Sequence, residues 1–175
     1  MNYADIKRID VANGIGVRVS LFVSGCTHHC KGCFNEVAWD FNYGKPFTEK
    51  EIDEIINYLD KDYIKGLSIL GGEPFEYQNQ KGLLPLLRKA RKTFPEKTIW
   101  CYSGYLFDKQ IVGEMCRKWE ETKEMLSYLD VLVDGEFIQE RKNLSLRFRG
   151  SDNQRIILVQ ESLKKRKVVL WNGEN

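Results

Sequence analysis

The chain has 175 residues, 42% of them hydrophobic and 12% aromatic, which excludes disorder as its main state and fits one domain with a core of its own. Twenty-seven Lys and Arg against 25 Asp and Glu leave a net charge of +2, no electrostatic footprint for nucleic acid. The N-terminus (MNYADIKRID) is charged where a signal peptide is apolar, and no stretch approaches the ~20 apolar residues of a membrane span; the expectation is a cytoplasmic chain, where five cysteines point to metal or redox chemistry rather than disulfides.

In chain order, the first strong strand is Val17 to Val23 (VRVSLFV), closed by Ser24-Gly25. A helix begins near Thr48. Thr48 and Glu51 form a T-x-x-E capping box, and Ile52, Ile55, Ile56 and Leu59 follow as one apolar stripe. Gly66 to Leu70 (GLSIL) is the second strand, closed by Gly71-Gly72. A helix over Leu83 to Phe94 stops at Pro95. Thr98–Tyr102 (TIWCY) is a strand ending at Ser103-Gly104. A long helical stretch spans about Asp108 to Leu126, and Asp130–Val133 (DVLV) is a strand ending at Asp134-Gly135. Gln139 to Gln154 reads as a polar loop or short helix, Arg155–Val159 (RIILV) as another strand, and Lys167–Trp171 (KVVLW) as a candidate last one.

Strands alternating with helices predict an α/β fold, a parallel sheet covered by helices. A closed eight-stranded barrel usually takes about 250 residues, so this length predicts a partial barrel or open sheet. In such folds the C-terminal strand ends form the active face, and the four Gly-containing turns should converge there. No linker, repeat or low-complexity segment divides the chain.

The segment Cys26-Thr27-His28-His29-Cys30-Lys31-Gly32-Cys33 follows the first strand. Cysteines spaced by three and then two residues on a loop can aim three sulfurs at one centre. Three thiolates suit a [4Fe–4S] cluster that keeps one iron open, whereas four leave none. Local spacing alone also allows structural zinc, with His28 or His29 completing a Cys3His set, or unligated redox thiols.

The C-x3-C-x2-C after the first strand and Gly71-Gly72-Glu73-Pro74 after the second together resemble the radical S-adenosylmethionine (SAM) superfamily. Within it, the ordered motifs VSGCTHHCKGCFN, WDFNYGKPF, SILGGEPF, YSGY, DVLVDGEF and RFRGSDNQR resemble the activases of the anaerobic (class III) ribonucleoside-triphosphate reductase, over about residues 1–158. The resemblance implies a single radical SAM domain over 1–175 with the fold of a partial (β/α) barrel. It implies Cys26, Cys30 and Cys33 as ligands of three irons of a [4Fe–4S] cluster, with SAM chelating the fourth. SAM would then be cleaved to methionine and a 5′-deoxyadenosyl radical, which takes a Cα hydrogen from a glycine of the reductase large subunit. Reduced flavodoxin or a similar protein would donate the electron. Neither nucleic acid nor membrane enters this reading.

Gly71, Gly72 and Glu73 match the family's SAM-binding turn. Glycines let a backbone approach a ligand closely and a carboxylate suits SAM's ammonium; the plain alternative is a strand-end turn. Gly32, Cys33 and Phe34 surround the last ligand. The superfamily often places an aromatic residue before the third cysteine; this chain has Gly32, so a ring contact to SAM falls to Phe34, which otherwise reads as core. Asn35 orients SAM or caps a turn. Asp134 and Ser103 sit at strand ends where they reach SAM or simply form turns, and Arg149 to Arg155 faces the same site by position. His28 and His29 read as exposed or as lying behind the ligands. Cys101 and Cys116 read as core thiols, Lys164 to Lys167 as solvated surface. Two further readings stay open: an activase of another glycyl radical enzyme, of the pyruvate formate-lyase kind, and a non-catalytic Cys3His zinc module.

Overall fold

Four runs rich in Val, Ile and Leu make the middle of the sheet: β2 (Val17–Val23), β4 (Ile64–Gly71), β5 (Thr98–Ser103) and β6 (Val131–Asp134). They are parallel neighbours in that order. Three more strands, β1 (Asn2–Asp10), β3 (Lys45–Pro46) and β7 (Arg155–Leu158), are antiparallel additions at the sides. The computed structural model describes residues 1–173. Among them the sheet has seven strands in the order β3-β1-β2-β4-β5-β6-β7. The expected parallel sheet is thus its centre only. β1 turns into β2 through a six-residue loop bent at Gly14 (φ 124) and Gly16 (φ 76), and so short a connection can join only antiparallel strands. β7 reaches β6 with no crossover helix between them.

Helix α1 (Glu49–Leu59) starts where the capping box places it. Lys50 N donates to Thr48 Oγ1 at 3.3 Å and Thr48 N to Glu51 Oε2 at 2.8 Å, a cap worth about 1 kcal/mol. Its stripe, Ile52, Ile55 and Leu59, is buried. Helix α2 (Tyr77–Thr93) begins six residues before the expected Leu83 and carries Pro85 inside it. The long helix expected over 108–126 is broken. Phe107–Met115 is wound as a π-helix, α3 (Cys116–Lys118) is a single turn, and Trp119 is extended (φ −133, ψ 123) before α4 (Glu120–Tyr128). Trp119 leaves the helical path to stack on Tyr77, ring centroids 4.7 Å apart. The chain after β7 enters α5 (Val159–Lys165), and the tail forms one bridge, Leu170 to Ile157, rather than a full strand.

The helices cover one face. Ile55 and Leu59 of α1, Leu83 and Leu87 of α2 and Met125 of α4 share a core with Leu21, Ile69, Cys101 and Leu132 of the strands; each such buried side chain contributes roughly 1.5–3 kcal/mol. The alternate strand residues, Trp100, Val131, Val133 and Ile156, point the other way, as the period of two requires. Ile15, Phe148 and Trp171 cover them, from loops and the tail instead of helices. On that second face Arg18 is fully buried beneath Trp100, its guanidinium 5.5 Å from the ring centroid. This face, roofed by irregular chain, is where a cavity opens. Among the described residues no helix is long and apolar enough to cross a membrane.

Candidate metal and cofactor site

A cavity of about 480 Å³ lies at the C-terminal ends of the parallel strands. Cys26, Cys30 and Cys33 line it from the loop after β2, Gly71 to Glu73 from the end of β4 and its turn, Ser103 and Gly104 from the end of β5 and its turn, and Gly135 from the turn after β6. The convergence of the four turns is therefore real. Leu70, Tyr102 and Val133, on the second face of the sheet, form its floor.

The cysteine loop is irregular, and its geometry is set by bonds that run outward. Gly25 N donates to Ala38 O at 2.8 Å and Cys26 N to Trp39 O at 3.2 Å. Thr27 donates through N and Oγ1 to Glu76 Oε1 at 2.9 and 2.6 Å. His29 (φ 51) and Gly32 (φ 74) turn the chain through the left-handed region, and Cys33 N returns to Cys30 O at 3.1 Å. The nearest obstacle to a side chain at position 32 is the flexible end of Gln139, so it is the left-handed backbone that calls for glycine there.

All five cysteines are free thiols. Burial pushes the Cys26 thiol up to about 12 and raises that of Cys30 as well. Such thiols become ligands only when a cation takes the proton's place. Main-chain amides of His28 and His29 act on the Cys26 sulfur and that of Phe137 on Cys30, while Asn35 N donates to Cys33 Sγ at 3.4 Å. Three thiols on one cavity wall, each with amide donors at its sulfur, fit an iron–sulfur cluster, whose potential such bonds set. Among the described residues no group of three or more His, Cys, Asp and Glu side chains is arranged to hold a metal ion. A cluster distributes its ligands over separate irons, so its thiolates stand further apart than the donors around one ion. The histidines serve other ends. Both His28 nitrogens lie against carboxylates, and His29 stacks on Trp39 at 4.6 Å.

Glu73 is 1% exposed. Its carboxylate accepts from Phe75 N at 2.8 Å, Ser103 Oγ at 2.8 Å and Gly104 N at 2.7 Å, and His28 Nε2 lies 2.9 Å away. Protein donors thus answer the charge that the sequence offers to an ammonium, and the backbone of Gly71 and Gly72 is left facing the cavity. Burial opposes charge on His28, but hydrogen bonds and the negative charges of Glu73 and Glu136 outweigh it and raise the His28 pKa to about 9.

Asp134 is fully buried and is not among the cavity-lining residues. It accepts from Phe107 N at 2.7 Å and from Arg155 Nε and Nη2 at 3.0 and 2.6 Å, tying β6 to β7 behind the site. Phe34 is 78% exposed at the cavity mouth, so it is not core. From the segment 149–155, Arg149, Gly150 and Gln154 reach the cavity. Cys101 is buried under the helices and Cys116 is half-buried on α3. Sequence reasoning passed over Asn79, whose Nδ2 donates to Ser24 O at 3.0 Å and Glu73 O at 2.9 Å. It staples the start of the cysteine loop to the Gly-Gly-Glu turn.

With this geometry in place, comparison with known proteins is direct. Residues 12–157 match the family described as a 4Fe-4S single cluster domain. The chain is 42% identical over 156 residues to the anaerobic ribonucleoside-triphosphate reductase-activating protein of Escherichia coli K12 and 43% identical over 156 residues to that of Haemophilus influenzae, in each case 88% of this chain and 96% of the relative. It is 41% identical over 160 residues to the protein of the same name from Enterobacteria phage T4, 89% of this chain and 93% of the relative. The chain belongs to the family of anaerobic ribonucleoside-triphosphate reductase-activating proteins.

Proposed function

We propose that this chain activates an anaerobic ribonucleoside-triphosphate reductase by radical SAM chemistry. One observation carries the reading: three free thiols and the Gly71-Gly72 turn share one cavity at the ends of parallel strands. Cys26, Cys30 and Cys33 would hold a [4Fe–4S] cluster, and Gly71, Gly72 and the backbone of Glu73 would receive the methionine end of SAM. Phe34 and Gly32 would flank the cofactor at the mouth. Asp134 supports β6 from behind. The chemistry supplied there is one-electron cleavage of SAM, which yields methionine and a 5′-deoxyadenosyl radical able to take hydrogen from a glycine of the reductase large subunit.

The residues of this chain serve that chemistry by position and by exclusion of water. Leu70, Tyr102 and Val133 make the cavity floor largely apolar, which limits access of water to a reactive radical. Residues 1–175 act as one radical SAM domain of partial-barrel type in the cytoplasm, with a flavodoxin-like protein as electron donor.

Anaerobic reconstitution with iron and sulfide, followed by SAM and reductant, should give 5′-deoxyadenosine. Addition of the reductase large subunit should give a glycyl radical in its electron paramagnetic resonance spectrum. A colourless, zinc-loaded protein that leaves SAM intact would end this reading. Deoxyadenosine without a radical on the reductase would keep the chemistry and discard the partner.

A further inference from the structure

Cys26 and Cys30 are separated by three residues with no helix or sheet ladder to set their spacing. The middle residue of that span is His28, whose side chain is only 7% exposed. Its Nε2 lies 2.9 Å from Glu73 Oε2 and its Nδ1 2.9 Å from Glu136 Oε1. Tyr105 meets the ring edge-on, centroids 4.3 Å apart. Gly104 leaves the room that the ring occupies, since a Cβ there would stand 2.6 Å from Nε2. The turns after β4, β5 and β6 thus converge on one imidazole inserted between two cysteines.

The constraint has a direction. Glu73 is already held by Phe75 N, Ser103 Oγ and Gly104 N, so its carboxylate is a fixed point before His28 reaches it. Two carboxylates from the turns after β4 and β6, one at each ring nitrogen, set both the position and the tilt of the ring. A histidine that only filled space would need neither bond.

We infer that His28 is a positioning residue that fixes the Cys26–Cys30 span against the Gly71-Gly72-Glu73 turn, so that cluster and SAM are held in one register. This rests on the cluster and SAM reading above.

Three variants test it: His28→Phe, which keeps a ring and removes both bonds; His28→Gln, whose amide can still donate to Glu73; and Glu136→Ala, which removes a 57% exposed partner and leaves folding out of the question. The readouts are melting of the iron-free protein, iron bound per chain, and the SAM concentration at which the electron paramagnetic resonance spectrum of the reduced cluster changes. His28→Phe should need roughly tenfold more SAM to change the spectrum, the loss expected for one charge-assisted hydrogen bond. His28→Gln should recover part of that loss, and Glu136→Ala should shift the response in the same direction by a smaller factor. Wild-type SAM response in both His28→Phe and Glu136→Ala would overturn the inference. So would a lowered melting point in His28→Phe that Gln does not restore, together with a wild-type response in Glu136→Ala, because that pattern marks space filling alone. A wild-type chain that takes up no iron, or whose cluster ignores SAM, would instead overturn the reading beneath, and this one with it.

Discussion

Replacing Gly72 by Ala tests whether the two turns of the site must touch. Gly72 N donates to Val23 O at 2.7 Å and Glu73 N to Gly25 O at 2.8 Å, so the turn after β4 lies against the start of the cysteine loop, backbone to backbone. A Cβ on Gly72 would stand 2.5 Å from Gly25 O and 2.9 Å from Ala38 O. Ordinary contact starts at 3.4 Å, so the first clash alone asks the turns to part by 3.4 minus 2.5, or 0.9 Å. Neither obstacle is the mobile end of a side chain. Overpacking of this kind costs about 1–3 kcal/mol, a drop in Tm of roughly 2–12 °C for a chain of this size. The catalytic effect should be larger in proportion, because a misplacement near 1 Å at a positioning element costs about 100-fold in rate. Gly72→Ala should therefore bind iron, all three thiols being intact, yet release 5′-deoxyadenosine about 100-fold more slowly in an anaerobic chromatographic assay. A variant that melts like the wild type and cleaves SAM within about threefold of its rate would refute this account of the glycine pair.

Each of Cys26→Ala, Cys30→Ala and Cys33→Ala should abolish SAM cleavage while the protein still folds, checked by deoxyadenosine release and circular dichroism; full activity in any one removes that residue from the ligand set. Cys101→Ala combined with Cys116→Ala should load iron as the wild type does, and a collapse in iron content would make one of them a ligand. Arg18 donates to Ser68 Oγ, Thr98 Oγ1 and the carbonyls of Ile15, Leu67 and Thr98 at 2.7–3.1 Å while fully buried. Arg18→Met should cost about 3–5 kcal/mol in urea unfolding, and a loss under about 1 kcal/mol would show those acceptors finding other partners.

The parts of the site that are near in sequence are the parts a reader of the sequence can see. Cys26, Cys30 and Cys33 fall within eight residues, and Gly71-Gly72 ends a continuous apolar strand, so both announce themselves. The partners of His28 lie 45 and 108 residues away, and no local pattern records such pairings. Asp134 shows the converse. An Asp-Gly strand end reads the same whether its carboxylate faces a ligand or, as here, Arg155, 21 residues on.

Helix α2 hides its own start. Tyr77 to Gly82 carries no apolar stripe, and Pro85 suits the first turn of a helix beginning at Leu83. The structure instead starts at Tyr77 and buries Asn79 and Gln80 there, polar residues whose amides bond to main-chain carbonyls of the site. The N-terminal strand β1 escapes notice for a related reason. Six of its nine residues fall in Ala4 to Ile9, mostly charged or half-exposed, because an antiparallel flank keeps one wet face and shows no clear apolar period.

A sheet that does not close on itself has two edges, and each is a template on which a second chain can pair. Here both are blunted. At one end the two-residue β3 covers only Asn2 and Tyr3 of β1, and the rest of that edge carries exposed charge at Asp5, Lys7 and Arg8. At the other, Trp171 N donates to Ile156 O at 2.8 Å and Leu158 N to Val169 O at 2.9 Å, so the tail runs along β7 as a strip. A chain ending at Arg166 would bare that edge and the apolar face beneath Trp171 together, and should cloud and aggregate at concentrations where the full chain stays dispersed. Colloidal behaviour would then change while every thiol of the cavity stayed in place.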